Sequence, residues 1–212
     1  MSKLVSIERD GAYAARRALT QCIGGGGVAV FPADTLYGLA CDPLNEDAVA
    51  RIQAIKGRED EKPSALMYFS PLAMRELVTG LGPRATEAVS ALLPGPVTLI
   101  LANPERRYPL ACRGNPERLG VRLIGGPLAG AMHPVFQTSA NRSGEPAPAS
   151  FSDLDEGIVE LANLAIDGGR LGGRPSTVID LGDLDAGGGW RILREGAMPA
   201  AMVEQRLDAL SG

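Results

Sequence analysis

The chain has 212 residues and a formal net charge of −4, a length that fits one large domain or two small ones. Apolar residues make up 45%, so a sizeable core can be buried. The acidic balance excludes a surface coated with cations for nucleic acid, and aromatics at only 4% argue against a platform of stacked bases.

The stretch "AYAARRALTQCI", residues 12–23, has the spacing of a helix that "GGGG" stops. "VAVFPA" at 28–33 is a short buried strand. "NEDAVARIQAIK" opens on Asn45 as an N-cap with two acids in its first turn, which predicts a helix to Lys56. "SALMYF" at 64–69 is a strand, followed by helices over 71–80 and 83–93. "PVTLILA" at 96–102 and "LGVRLI" at 119–124 are strands, and "PVFQTS" holds another. A helix near 153–162, strands at "LAID", "STVIDL" and "WRILRE", and a helix over 199–210 complete the series. The irregular alternation predicts one α/β domain with a twisted, mixed open sheet flanked by helices. No internal repeat or long linker divides the chain, so residues 1–212 are read as a single domain whose motifs fall within about 12–199.

Chemistry has four candidate locations. "FPADTLYGLACD", 31–42, follows a strand and offers Asp34, Thr35 and Tyr37; the plainer reading is a turn that satisfies its own amides. "KGREDEKPSAL" sets Lys56 and Arg58 around Gly57, either as a favourable helix stop or as an anion grip. "FQTSANRSGEP" places Ser139 and Asn141 in a compact polar turn, suited to capping or to orienting a phosphate or a Mg²⁺-bound water. Arg118, Arg122 and Arg194 sit at or in strands, where arginine either points to solvent or makes paired bonds to a carboxylate or phosphate.

Other chemistries lack their residues. There is neither a GxxxxGK[ST] loop nor a GxGxxG fingerprint, and His133 is the only histidine. Cys22, Cys41 and Cys112 are too widely spaced for a CxxC metal site, so no protein metal centre is expected. The opening "MSKLVSIERDG" has no apolar leader and no run reaches membrane-spanning length, which points to a cytoplasmic protein with no membrane partner.

Taken in order, "FPADTLYGLACD", "KGREDEKPSAL", "PGPVTLIL", "VRL", "TSANRSGEP", "IDGG", "STVID" and "ILREG" resemble the YrdC-like family of L-threonylcarbamoyl-AMP synthases, in its short form. The resemblance implies a concave basic cavity. It implies a nucleotidyltransferase that joins L-threonine, bicarbonate or CO₂ and ATP into threonylcarbamoyl-AMP with release of pyrophosphate. The product would feed N6-threonylcarbamoyl modification of adenosine 37 in tRNA, with partner proteins completing the transfer. By matching position, Lys56 and Arg58 would bind phosphate and carry catalysis. Lys62, Arg118, Ser139, Asn141 and Arg194 would hold the nucleotide with Mg²⁺, and Thr35, Arg122 and Ser176 would hold threonine. Lys56 and Arg58 are expected to be exposed, so that replacing either stops synthesis without disturbing the fold.

Three positions depart from the family pattern. Met67 stands where relatives often carry histidine, "RLIGGP" replaces a proline-rich segment, and Ala149 replaces a hydroxyl residue. Two rival readings are a related carbamoyl-adenylate enzyme, like hydrogenase-maturation proteins of similar fold, and a module that binds tRNA or double-stranded RNA in a basic concavity.

Overall fold

The structure is a computed structural model, and it describes residues 2–57, 63–131 and 133–208. Ten strands form one sheet: β1 (Lys3–Ser6), β2 (Ala29–Ala33), β3 (Leu36–Cys41), β4 (Ala65–Tyr68), β5 (Val97–Ala102), β6 (Arg118–Leu123), β7 (Val135–Ser139), β8 (Leu164–Asp167), β9 (Thr177–Asp180) and β10 (Arg191–Arg194). Their spatial order is β1-β8-β2-β3-β7-β4-β6-β5-β9-β10. Parallel pairs such as β4 with β6 alternate with antiparallel pairs such as β5 with β6, so the sheet is open and mixed as the sequence predicts.

Helix α1 (Ile7–Gly24) is interrupted at Gly11, whose φ of +84° is not helical, so its continuous part starts where the sequence spacing places it. Helix α2 (Glu46–Lys56) starts on Asn45, whose side chain accepts from the Ala48 amide at 2.9 Å. It stops at Gly57, which takes a left-handed φ of +65°. Helices α3 (Pro71–Thr79) and α4 (Pro83–Leu92) each open on proline, where its missing N–H costs nothing. Short α5 (Pro109–Cys112), then α6 (Glu156–Leu161) and α7 (Ala200–Asp208), complete the helices of the described residues.

Two strands differ from the sequence reading. The polar segment after β2 is a two-residue turn, Asp34-Thr35, leading straight into β3, so "LYGLAC" is a buried strand and not a loop. Strand β1 was not expected, and it pairs with β8 in parallel at the sheet edge.

Side chains alternate between the two faces of a strand, and that alternation builds the site. On one face Leu39, Leu66, Leu99, Val121, Phe136 and Ile179 join the larger core, beneath residues of α2, α3, α4, α6 and α7. Fully burying such a side chain contributes about 1.5–3 kcal/mol, so this face holds the sheet. The opposite face is divided. Helix α1 covers one part through Ala15, Leu19 and Ile23 against Phe31, Met67, Phe69 and Ile166. No helix of the described residues covers the other part.

Candidate active site

The uncovered part of the sheet is the floor of a cavity of about 750 Å³. Strand residues line it, alternate ones in β5 and β6: Thr98 and Ile100 from β5, Arg118, Gly120 and Arg122 from β6, Gln137, Thr138 and Ser139 from β7, and Val178 from β9. Thr35, Asn141, Ser176 and Arg194 close its sides. Seven of the ten residues that the resemblance assigns to the site, drawn from separate segments, therefore share one hollow. Arg58 and Lys62 lie outside the described residues.

Lys56 is placed behind the wall and is not among the described residues lining the cavity. It is 4% exposed, which corrects the expectation of an exposed cation. Its Nζ donates to the carbonyl oxygens of Ser139 at 2.6 Å and Asn141 at 2.9 Å. The Ser143 amide donates back to the Lys56 carbonyl at 3.0 Å. The end of α2 and the polar turn are thus one unit. Within it the Asn141 Nδ2 donates to the carbonyls of Arg142 and Glu145 at 2.8 and 2.7 Å, which fixes the amide's orientation. Asn141 Oδ1 is buried and has no hydrogen-bond partner among the described residues. A buried acceptor left without a donor is costly, and this one belongs to a residue that lines the cavity.

Arg122 is 6% exposed although it lines the cavity. Its Nη2 donates to the Asp34 carboxylate, to the Ala33 carbonyl at 3.2 Å and to Thr35 Oγ1 at 3.4 Å. Nη1 lies 3.5 Å from Gln137 Oε1, and Nε has no partner among the described residues. Burial pulls the Arg122 guanidinium below its ordinary value, with Asp34 opposing. Burial likewise pushes the Asp34 carboxyl up, with Arg122 opposing.

The other two arginines are also held. Arg118 pairs with Asp183 at 2.5 Å and lies so close to Gly182 that a Cβ there would meet its guanidinium. Arg194 Nη2 donates to the Ser176 carbonyl at 2.8 Å, and Ser176 Oγ lies 2.8 Å from Thr98 Oγ1. Ser176 therefore joins the strand carrying Arg194 to the cavity floor. Three arginines and one carboxylate, Glu145, line the hollow among the described residues.

Backbone bonds tie the rim together. The Tyr37 amide donates to the Pro148 carbonyl at 2.9 Å, Gly173 to Thr35 at 3.0 Å and Leu171 to Ala149 at 2.7 Å. The Tyr37 hydroxyl donates to the Gly169 carbonyl at 2.8 Å and accepts from the Gly168 amide at 2.9 Å. Burial pushes that hydroxyl up to about 12, so it stays protonated. A second cavity, about 550 Å³ and mostly apolar, lies beyond the Asp34-Thr35 turn and meets the first at Thr35. It lacks the convergent polar groups that orient a ligand, so the first is the better candidate.

Among the described residues no group of three or more His, Cys, Asp or Glu is placed to hold a metal, and no helix is long and apolar enough to cross a membrane. The three cysteines are free thiols. Sequence reading did not single out Gln137, Thr98 or Glu145. A period of two counted back from Ser139 reaches Gln137, and Thr98 is the one polar residue of β5. Met67 is fully buried opposite Arg122 in the β4–β6 register, within the core under α1.

The sequence profile of the Sua5/YciO/YrdC family, described as telomere recombination, matches residues 21–196. The chain belongs to this family. A threonylcarbamoyl-AMP synthase from Halorhodospira halophila is 33% identical over 162 residues, covering 73% of this chain and 84% of that protein. The threonylcarbamoyl-AMP synthase of Pyrococcus abyssi is 31% identical over 188 residues, and the match takes in 53% of its length. The crystal structure of P. abyssi Sua5 complexed with L-threonine superposes with a TM-score of 0.81 at 30% identity, covering 97% of this chain and 60% of that one. Escherichia coli YciO superposes with a TM-score of 0.79 at 26% identity, covering 96% of this chain and all of that one. These Sua5/YciO/YrdC structures share the open mixed sheet described above.

Proposed function

We propose that this Sua5/YciO/YrdC-family chain is a threonylcarbamoyl-AMP synthase, forming the adenylate and pyrophosphate from L-threonine, CO₂ or bicarbonate and ATP. The observation that carries the reading is the convergence of Thr35, Arg118, Arg122, Ser139, Asn141, Ser176 and Arg194 on one cavity. The relatives named as this enzyme, and the P. abyssi relative solved with L-threonine, support it.

The chemistry suits a site without a nucleophilic side chain. The threonine amine forms a bond to the carbon of CO₂ and gives up a proton to solvent. The resulting carbamate oxygen bonds to the α-phosphorus of ATP, and the bond to the β-phosphate breaks, releasing pyrophosphate. Two anions must meet, so fixed positive charge and alignment do the work. Arg122, with Thr35 and Ser176 beside it, holds the amino-acid carboxylate. Arg118, Arg194, Ser139 and the Asn141 turn hold the triphosphate, together with Arg58 and Lys62. Lys56 acts by bracing the Ser139–Asn141 turn.

Mg²⁺ keeps most of its shell from phosphates and waters and needs few protein oxygens. The orphaned Oδ1 of Asn141 and the carboxylate of Glu145 fit that role. Bound there, the ion would neutralise phosphate charge. The adenylate then serves N6-threonylcarbamoyl modification of tRNA through partner proteins.

The test is to incubate the protein with ATP, bicarbonate and single amino acids, and to detect the adenylate by mass. A threonine adduct with equimolar pyrophosphate is expected. Its absence overturns the reading.

A further inference from the structure

Asp34 stands at the first of the two turn positions between β2 and β3, with φ at +62°. Glycine is the usual residue at such a position in a two-residue hairpin, because a Cβ is strained there. An aspartate held in that conformation marks a place where something other than backbone preference decides. Two bonds hold it: its Oδ1 accepts from the Thr35 amide at 2.7 Å and from Arg122 Nη2. Asp34 lines the apolar second cavity and Arg122 the first, so the carboxylate reaches the guanidinium from the side away from the candidate active site. Among the described residues Arg122 Nη1 has only a long contact to Gln137 and Nε has none.

We infer that Asp34 is a positioning residue that fixes the Arg122 fork in the orientation that receives the amino-acid carboxylate; this rests on the function proposed above. A long arginine chain left free would have to be ordered at each binding event, and a fork already pinned at one nitrogen loses less. The strained turn is the means: it projects the Asp34 carboxylate so that the same oxygen meets Arg122 from behind and accepts the Thr35 amide. The bare alternative is that Asp34 neutralises a buried charge and contributes to stability alone.

Steady-state kinetics of Asp34→Asn and Asp34→Gly separate these. Asp34→Asn keeps the shape and loses the charge, whereas Asp34→Gly relieves the strained φ. For both, the threonine KM is expected to rise about ten-fold or more, roughly 1.4 kcal/mol of binding, with the ATP KM within about two-fold. The kcat at saturating threonine should change far less than the threonine KM. An unchanged threonine KM in folded variants, or failure of both to fold, assigns Asp34 to stability and overturns the inference. No adenylate from the unaltered protein overturns the proposed function and this inference with it. Turnover by the unaltered protein with an unmoved KM in the variants overturns only the inference.

Discussion

The ammonium of Lys56 lies 2.6 Å from the carbonyl oxygen of Ser139, and through that bond the last residue of α2 is fastened to the far end of β7. Two segments 83 residues apart in the chain meet there, at the corner from which the cavity wall rises. A cation in this place shapes the wall before it meets any substrate.

Lys56→Met keeps the stem and removes the donor from the carbonyls of Ser139 and Asn141. A buried carbonyl stripped of its donor costs about 1–3 kcal/mol, so the variant should melt at a lower temperature as well as lose activity. Calorimetric melts with ATP titrations check this. A variant as stable as the parent would show that the two bonds are not formed in solution.

Arg122→Lys replaces a planar fork that reaches Asp34, Thr35 and the Ala33 carbonyl together. An ammonium cannot reproduce paired bonds to a carboxylate. Threonine KM should rise roughly 10- to 100-fold, the equivalent of one charged hydrogen bond, while ATP binding is largely kept. Initial rates against threonine at saturating ATP decide it.

Asn141→Ala removes the orphaned Oδ1 and also the Nδ2 bonds that hold the carbonyls of Arg142 and Glu145. The expected result is a raised KM for ATP with Mg²⁺ and little change for threonine. Repeating the titration at several Mg²⁺ concentrations tests the metal assignment, since a variant with unaltered Mg²⁺ dependence would remove Asn141 from it.

Acid should weaken the β9–β10 edge. Burial favours a higher value for the Asp180 carboxyl, but Arg191 and the Gly182 amide outweigh it and hold the group below 3.8. A carboxyl depressed in the folded state contributes stability above its unfolded value and loses it as pH falls through the folded one. Melting temperature should therefore fall more steeply below about pH 3.8 in the parent than in Asp180→Asn. Parallel slopes would contradict the pairing.

The elements most legible in the sequence were those with local punctuation. Asn45, Gly57 and the prolines that open α3 and α4 mark their ends within a residue or two. Strand β3 was missed because both its faces are buried, so "LYGLAC" lacks the alternation that betrays a half-exposed strand. The site was legible as a set of motifs, and their meeting was not, because it depends on sheet order. Nothing local places β6 between β4 and β5. The burial of Lys56 was hidden for the same reason: the carbonyls it serves belong to the end of β7 and the turn after it, which arrive through β3 and β7 pairing.

Strand alternation has a further consequence for how this pocket can change. In β6 the residues Arg118, Gly120 and Arg122 look into the hollow, while Leu119, Val121 and Leu123 anchor the opposite face. Losing a single residue from that strand would send guanidinium groups into oil and present valine to the ligand. Substrate preference can thus drift by replacement at every second position, but the reading frame of the strand itself is locked.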